Sequence, residues 1–164
     1  MNEQRYKNIM EWFSHHKRIT KVLIITEKMS ELLVYVIYSL FLLFLVLKQN
    51  EYLWSSVLTC GIPFVLVSVL RKKINAKRPY EVYNIPAVMK KDKKGCSMPS
   101  RHVFSASIIS VSIYFMYPTL ALICAGLTII MAILRVLLGV HFIRDVLVGL
   151  AIGIVLGLLG SFLF

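Results

Sequence analysis

Charge is what this sequence has least of. Only 16% of its 164 residues are Asp, Glu, Lys or Arg, against 58% hydrophobic, a balance that argues against an ordinary soluble domain. Acidic residues are scarcer still, eight against 19 lysines and arginines. The three cysteines, Cys60, Cys96 and Cys124, are odd in number and lack ligand spacing. Neither a disulfide framework nor a metal site is expected from them, and no cofactor. Internal repeats and low-complexity tracts are missing too. The first 28 residues contain no uninterrupted apolar core, being broken by Glu3, Arg5, Lys7, Glu11, Lys17, Arg18, Lys21, Glu27 and Lys28, so they do not read as a cleavable signal peptide.

Long apolar runs are what the chain has instead. They cover Leu32 to Leu47, Leu53 to Leu70, Val103 to Tyr117, Leu120 to Leu134 and Val146 to Phe164. With flanking residues each approaches the roughly 20 needed to cross a bilayer. A chain this short has no polar shell to cover five such runs in water. The expectation is an all-α, polytopic membrane helix bundle with about five transmembrane helices, in the cell membrane. Residues 1–28 are expected as an N-terminal segment and 29–164 as the membrane-embedded domain. Within the first segment Tyr6, Ile9, Met10 and Phe13 recur at helical spacing among charges, which predicts an amphipathic helix in the headgroup layer with Trp12 as interfacial anchor.

The net charge of +11 would suggest nucleic acid in a soluble protein. Here membrane lipids and a phosphorylated substrate explain it, and no nucleic-acid partner is expected. Five crossings place the N-terminal segment and the connections Arg71 to Arg101 and Gly139 to Asp145 on one face. All but Lys48 of the 19 basic residues fall there. Charges placed for topology would make that face cytoplasmic; charges placed for chemistry carry no such implication. The "KKDKKG" run, Lys90 to Gly95, reads as a solvated patch touching anionic lipids. Gly149, Gly153 and Gly157 form a stripe that lets helix backbones approach closely, within the bundle or between two copies of the chain.

Three clusters converge on the basic face: "RKKINAKRP" from Arg71, "SMPSRH" from Ser97, and "RVLLGVHFIRD" from Arg135. Gly139 is expected to end one helix and a new one to start near His141, placing His141 and Asp145 four residues apart on one side. A carboxylate on one imidazole nitrogen fixes the tautomer and leaves the other nitrogen as base or nucleophile. Arg135 has a planar fork suited to phosphate oxygens, and its burial calls for a partner. Pro99 and Ser100 look like a helix start, whose free amides attract anions. His102 lies just inside that positive end, where it could protonate a leaving oxygen. Arg71, Lys72 and Arg78 add further cations for a transferring phosphoryl group.

These residues resemble the type 2 phosphatidic acid phosphatase superfamily, integral-membrane lipid phosphatases related in site architecture to vanadium haloperoxidases. The family pattern runs Lys, six residues, Arg-Pro; then Pro-Ser-Gly-His; then Ser-Arg, five residues, His, three residues, Asp. The chain matches it with Arg71 and Arg78-Pro79, with Pro99-Ser100-Arg101-His102, and with Leu134-Arg135, His141 and Asp145. The resemblance implies a metal-independent hydrolase acting on a lipid phosphomonoester or polyprenyl diphosphate. Undecaprenyl diphosphate, phosphatidic acid and phosphatidylglycerol phosphate are all within its range. It implies His141 as the nucleophile that becomes a phosphohistidine, Asp145 as its partner and His102 as general acid. Arg71, Arg78, Ser100 and Arg135 would hold the phosphate. Three positions depart from the pattern. Arg71 stands where the family has lysine, with Lys72 as the alternative cation one residue on; Leu134 replaces serine. Arg101 replaces glycine, and either crowds the pocket, leaving a lipid-phosphate binding or transport protein without turnover, or adds a cation that favours a more highly charged headgroup.

Overall fold

The computed structural model describes residues 2–89 and 94–164, so most of the Lys90 to Gly95 patch lies outside the described residues. The chain forms α1 (Glu3–His15), α2 (Lys17–Leu47), α3 (Tyr52–Ile74), α4 (Pro79–Val82), α5 (Arg101–Tyr114), α6 (Pro118–Leu137) and α7 (Ile143–Leu163). Four segments among the described residues are long and apolar enough to cross a membrane: Lys17–Leu47, Tyr52–Val82, Pro118–Leu137 and Ile143–Leu163. The remaining apolar run, Val103 to Tyr117, forms the 14-residue α5. At 1.5 Å per residue it is about 21 Å long, short of the hydrocarbon thickness. It serves as the axis of the bundle, buried from Val103 through Ser110.

The outer helices show the reverse pattern. Leu40, Leu47, Leu122, Ile133, Leu147 and Phe162 are all exposed, the arrangement of a protein whose solvent is lipid. The inner faces of α2, α3, α5 and α6 meet in a core that includes Val34, Phe41, Val67, Phe104, Ile108 and Met131.

The glycine stripe of α7 is used up inside the chain. A Cβ on Gly149 would lie 2.8 Å from the Ser100 carbonyl oxygen, and one on Gly153 would lie 2.6 Å from the Ser107 Cβ. Gly157 faces Val111 and Gly160 faces Thr59 in the same way. The stripe is therefore not a surface offered to a second copy; it brings the start of α7 against the start of α5.

At the N-terminus Asn2 caps α1 by accepting the Arg5 N–H at 3.0 Å. The helix does present one apolar face, with Tyr6, Met10 and Phe13 buried. That face packs on protein, against Leu23, Tyr83, Ile85, Val88 and Leu137; Trp12 is exposed. α2 begins at Lys17 and passes through Lys28 without a break. At 31 residues it is about 46 Å long, longer than the hydrocarbon layer, so its basic first turns extend beyond that layer.

Candidate active site

The loop between α6 and α7 carries the first part of the site. α6 closes on Leu138, and Gly139 turns the chain with φ of 78°, a conformation open to glycine at little cost. The N–H groups of Val140 and His141 both donate to the Arg135 carbonyl at 3.2 Å. From α1, the Tyr6 hydroxyl sits 3.2 Å from the Gly139 carbonyl oxygen and 3.3 Å from that of Ile85. Burial raises the Tyr6 pKa, so the hydroxyl stays a donor.

α7 starts at Ile143, two residues later than the start expected from the sequence. His141 therefore belongs to the turn, and Asp145 to the first turn of the helix. Their separation is 3.6 Å between Nδ1 and Oδ2, longer than a hydrogen bond. Ser97 closes the gap. Its hydroxyl donates to Asp145 Oδ2 at 2.5 Å and lies 3.3 Å from His141 Nδ1. Asp145 also accepts the Phe142 N–H at 3.0 Å, which caps α7. His141 and Asp145 are 1% and 0% exposed. Burial lowers the His141 pKa to about 4; the nearby Asp145 carboxylate pulls it up, and Arg78 and Arg135 push it down. At neutral pH the ring is uncharged, and its other nitrogen, Nε2, makes no hydrogen bond to any described residue.

The second part is the loop that leads into α5. Ser97 donates its N–H to the Ala76 carbonyl at 2.8 Å. Arg71, buried at the end of α3, donates to the Cys96 carbonyl. Arg78 donates through Nε to the Gly95 carbonyl at 3.0 Å and through Nη1 to the Val140 carbonyl at 3.4 Å. It thus ties the two loops together. Glu81 accepts the N–H groups of Arg78 at 2.8 Å and of Gly95 at 2.9 Å. Ser100 is the N-cap of α5, and its N–H donates to the Asp145 carbonyl at 2.9 Å. The first intrahelical bond of α5 is made by Phe104, so the earlier amides at this positive helix end have no partner within the helix.

The third part was not foreseen. Arg135 is buried, and its Nη2 pairs with both Glu27 and Glu31 of α2, at 2.9 Å for the second. Glu31 reaches His102 with its other oxygen, 3.2 Å from Nε2. The side chains of Glu31 and His102 are 28% and 24% exposed, whereas that of Glu27 is 2% exposed.

The structure brings together Arg71, Arg78, Ser100, Arg135, His102, His141 and Asp145. Arg71 lies within electrostatic reach of Arg78, Arg101 and Arg135. Arg101, half-buried, places its guanidinium 5.6 Å from the centre of the Phe64 ring, within electrostatic reach of Arg71. Lys72 is not brought in; one residue on from Arg71 it points about 100° around the helix and is exposed. Sequence reasoning missed Ser97, Glu27, Glu31, Glu81 and Tyr6. For the pair on α2 a signal existed: two acids four residues apart at the start of an apolar run need cationic partners inside the bundle. Four buried donors, Ser100 Oγ, Arg71 Nε and Arg135 Nε and Nη1, have no partner among the described residues. An anion of several oxygens is the ligand that such a set accommodates.

Two solved structures share this architecture. The crystal structure of Aquifex aeolicus LpxE superposes with a TM-score of 0.74 at 23% identity, covering 97% of this chain and 93% of that one. The crystal structure of the transmembrane PAP2-type phosphatidylglycerolphosphate phosphatase from Bacillus subtilis gives 0.68 at 22% identity, covering 96% and 81%. No curated protein matches the chain. The match to the family described as PAP2 superfamily runs over residues 52–163 and holds every element from α3 to α7, and by that match the chain belongs to the PAP2 superfamily.

Proposed function

We propose that the protein is a membrane lipid phosphatase that hydrolyses a lipid phosphomonoester or a polyprenyl diphosphate through a phosphohistidine on His141. The observation that carries this reading is the state of His141: buried, uncharged at neutral pH, with Nδ1 turned to Ser97 and Asp145 and Nε2 without a partner among the described residues. In the first step Nε2 attacks phosphorus, the bond to the leaving oxygen breaks, and His102 supplies the proton that the leaving group takes. In the second step water attacks the phosphohistidine, His102 receives its proton, and inorganic phosphate departs. Asp145 and Ser97 stabilise the charge that develops on the ring. Arg71, Arg78 and Arg135, with Ser100 and the α5 amides, face the charge on the equatorial oxygens. Arg101 extends the cationic surface beside Phe64, where a second phosphate of a diphosphate headgroup would lie. The apolar flanks of α2 and α3 leave room for the lipid tail to stay in the bilayer, and α1 braces the site loops at the interface.

The guanidinium groups supply the positive charge this chemistry requires, so the reaction is expected to proceed without a metal. The test is phosphate release in detergent from phosphatidic acid, phosphatidylglycerol phosphate and undecaprenyl diphosphate, with and without EDTA. Wild type should release phosphate in both conditions, and His141→Ala should lose more than about a thousandfold of the rate. Equal release by the variant would refute the mechanism; loss of activity with EDTA would refute metal independence. Binding without release by a folded wild type would favour a lipid-phosphate carrier instead.

A further inference from the structure

Glu31 stands where the proposed reaction needs a phosphate oxygen. Its two carboxylate oxygens bridge Arg135 Nη2 at 2.9 Å and His102 Nε2 at 3.2 Å. One of these groups is the expected phosphate anchor and the other the expected proton donor, each with its donor atom turned to the carboxylate. Glu27, one turn earlier on the same face of α2, pairs with the same nitrogen of Arg135. The two acids differ in one respect that decides their roles. Glu27 is enclosed, at 2% side-chain exposure, so separating it from Arg135 would strand a buried charge. Glu31 is 28% exposed and can turn to water without such a penalty.

We propose that Glu31 is a displaceable internal ligand of the phosphate site: it holds Arg135 and His102 when no headgroup is bound, yields both contacts to an incoming phosphate, and returns to expel the product. Glu27 remains as the permanent counter-ion of Arg135 throughout. This inference deepens the phosphatase reading and rests on it for the word product. Its physical content is competition. Arg135 Nη2 and His102 Nε2 are engaged either by Glu31 or by phosphate, and a phosphate that reaches these two atoms, beyond the unpartnered Arg135 Nε and Nη1, must replace the charge-assisted bonds that Glu31 makes there. An anion site with this many guanidiniums would otherwise retain inorganic phosphate, and the carboxylate limits that retention.

The test reads affinity directly, by calorimetric titration of inorganic phosphate into purified protein in detergent, wild type against Glu31→Gln. The glutamine keeps the shape and loses the charge. Its dissociation constant for phosphate should be lower by about tenfold or more, the scale of one charge-assisted hydrogen bond. Glu31→Ala should also bind phosphate more tightly, and added formate should weaken that binding by refilling the carboxylate position, while leaving wild type unaffected. Unchanged affinity in both variants, or weaker binding, would overturn the proposal; the second result would mean that Glu31 stays in place and supports the bound state. Failure here is distinct from failure of the phosphatase reading. A wild type that releases phosphate from lipid substrates while the variants show unaltered affinity defeats only the role of Glu31. Variants that bind phosphate tightly, in a protein that turns over no lipid phosphate, defeat only the reaction.

Discussion

Replacing His141 by asparagine removes a titration that the fold forces to low pH, and the consequence for stability can be worked out. In the unfolded chain the imidazole titrates near its ordinary value of 6.5, and in the folded protein near 4, because burial disfavours the cation. Above pH 6.5 the ring is neutral in both states and contributes no pH dependence. As pH falls from 6.5 toward 4 the unfolded chain takes up a proton that the folded protein refuses, so stability is lost across that window. Below 4 both states are protonated and the loss levels off. The total is about 3 kcal/mol, from 1.36 kcal/mol for each pH step between the two values. His141→Asn lacks the group and therefore lacks the slope. The assay is unfolding in detergent from pH 7.5 to 3.5 for both proteins, with the difference between them plotted against pH. Titrations of groups away from His141 are common to both and cancel to first order, and Asp145, whose titration the His141 contact helps shift, is the neighbour whose own change adds to the difference. The difference should move in favour of the variant by about 3 kcal/mol between pH 6.5 and 4. Parallel curves would refute the reasoning, and would mean that the ring is solvated or already charged at neutral pH. The same displacement places the acid limb of kcat/KM near pH 4 rather than 6.5 where His141 is the group that must be neutral.

Three further variants test the supports of the site, and a fourth, at Gly126, is the control. Ser97→Ala removes the donor between His141 and Asp145, and should lower stability by about 1.5 to 3 kcal/mol and kcat by about 10- to 100-fold with little change in KM; an effect on KM alone would contradict the positioning role. Tyr6→Phe deletes the hydroxyl that holds the Gly139 and Ile85 carbonyls, and should lower stability by about 1 kcal/mol and also kcat, although Tyr6 lies outside the region matched by the family. Normal turnover in this variant would show that the turn before His141 holds without α1. Gly153→Ala puts a methyl group 2.6 Å from the Ser107 Cβ and should destabilise the α5 to α7 contact by about 1 to 3 kcal/mol. Gly126→Ala, at a helical position with nothing within 4 Å, should be neutral or stabilising by up to about 1 kcal/mol in the same detergent melts.

Much of this site was legible because its residues sit at helix ends, where short motifs and helix punctuation coincide. Gly139 as a breaker and a helix start at Pro99 and Ser100 follow from local backbone preferences, and both hold. The stripe on α7 was readable as a close approach, but spacing alone does not say which helix fills it. What remained hidden depended on contacts across long sequence separations. Ser97 meets Asp145 only because the α5 and α7 starts are pressed together through Gly149. Periodicity marks which face of α1 is buried and not what buries it; that face packs against Ile85, Val88 and Leu137. Glu27 falls in the polar segment 1–28 and Glu31 just before the first apolar run, and hydropathy alone does not separate an acid in solvent from one that enters a helix bundle.

Those two acids also settle how a site so rich in arginine stays folded within an apolar bundle. Arg78, Arg101 and Arg135 lie within electrostatic reach of Arg71, and Arg78 of Arg135, and the repulsion would be severe if each faced the site with its full charge uncompensated. Instead each of the three buried ones is secured at one edge. The Cys96 carbonyl takes a bond from Arg71, the Gly95 and Val140 carbonyls take bonds from Arg78, and Glu27 holds Arg135, sharing it with Glu31 while no headgroup is bound. The carbonyls that serve Arg71 and Arg78 belong to the same loops that carry Ser97 and His141. Fixing the arginines therefore fixes Ser97 and His141, and a change that frees one guanidinium disturbs both. The edges left unpaired, on Arg71, Arg135 and Ser100, carry the cost of buried donors without acceptors. The fold retains that cost at the place where the oxygens of a phosphate would remove it.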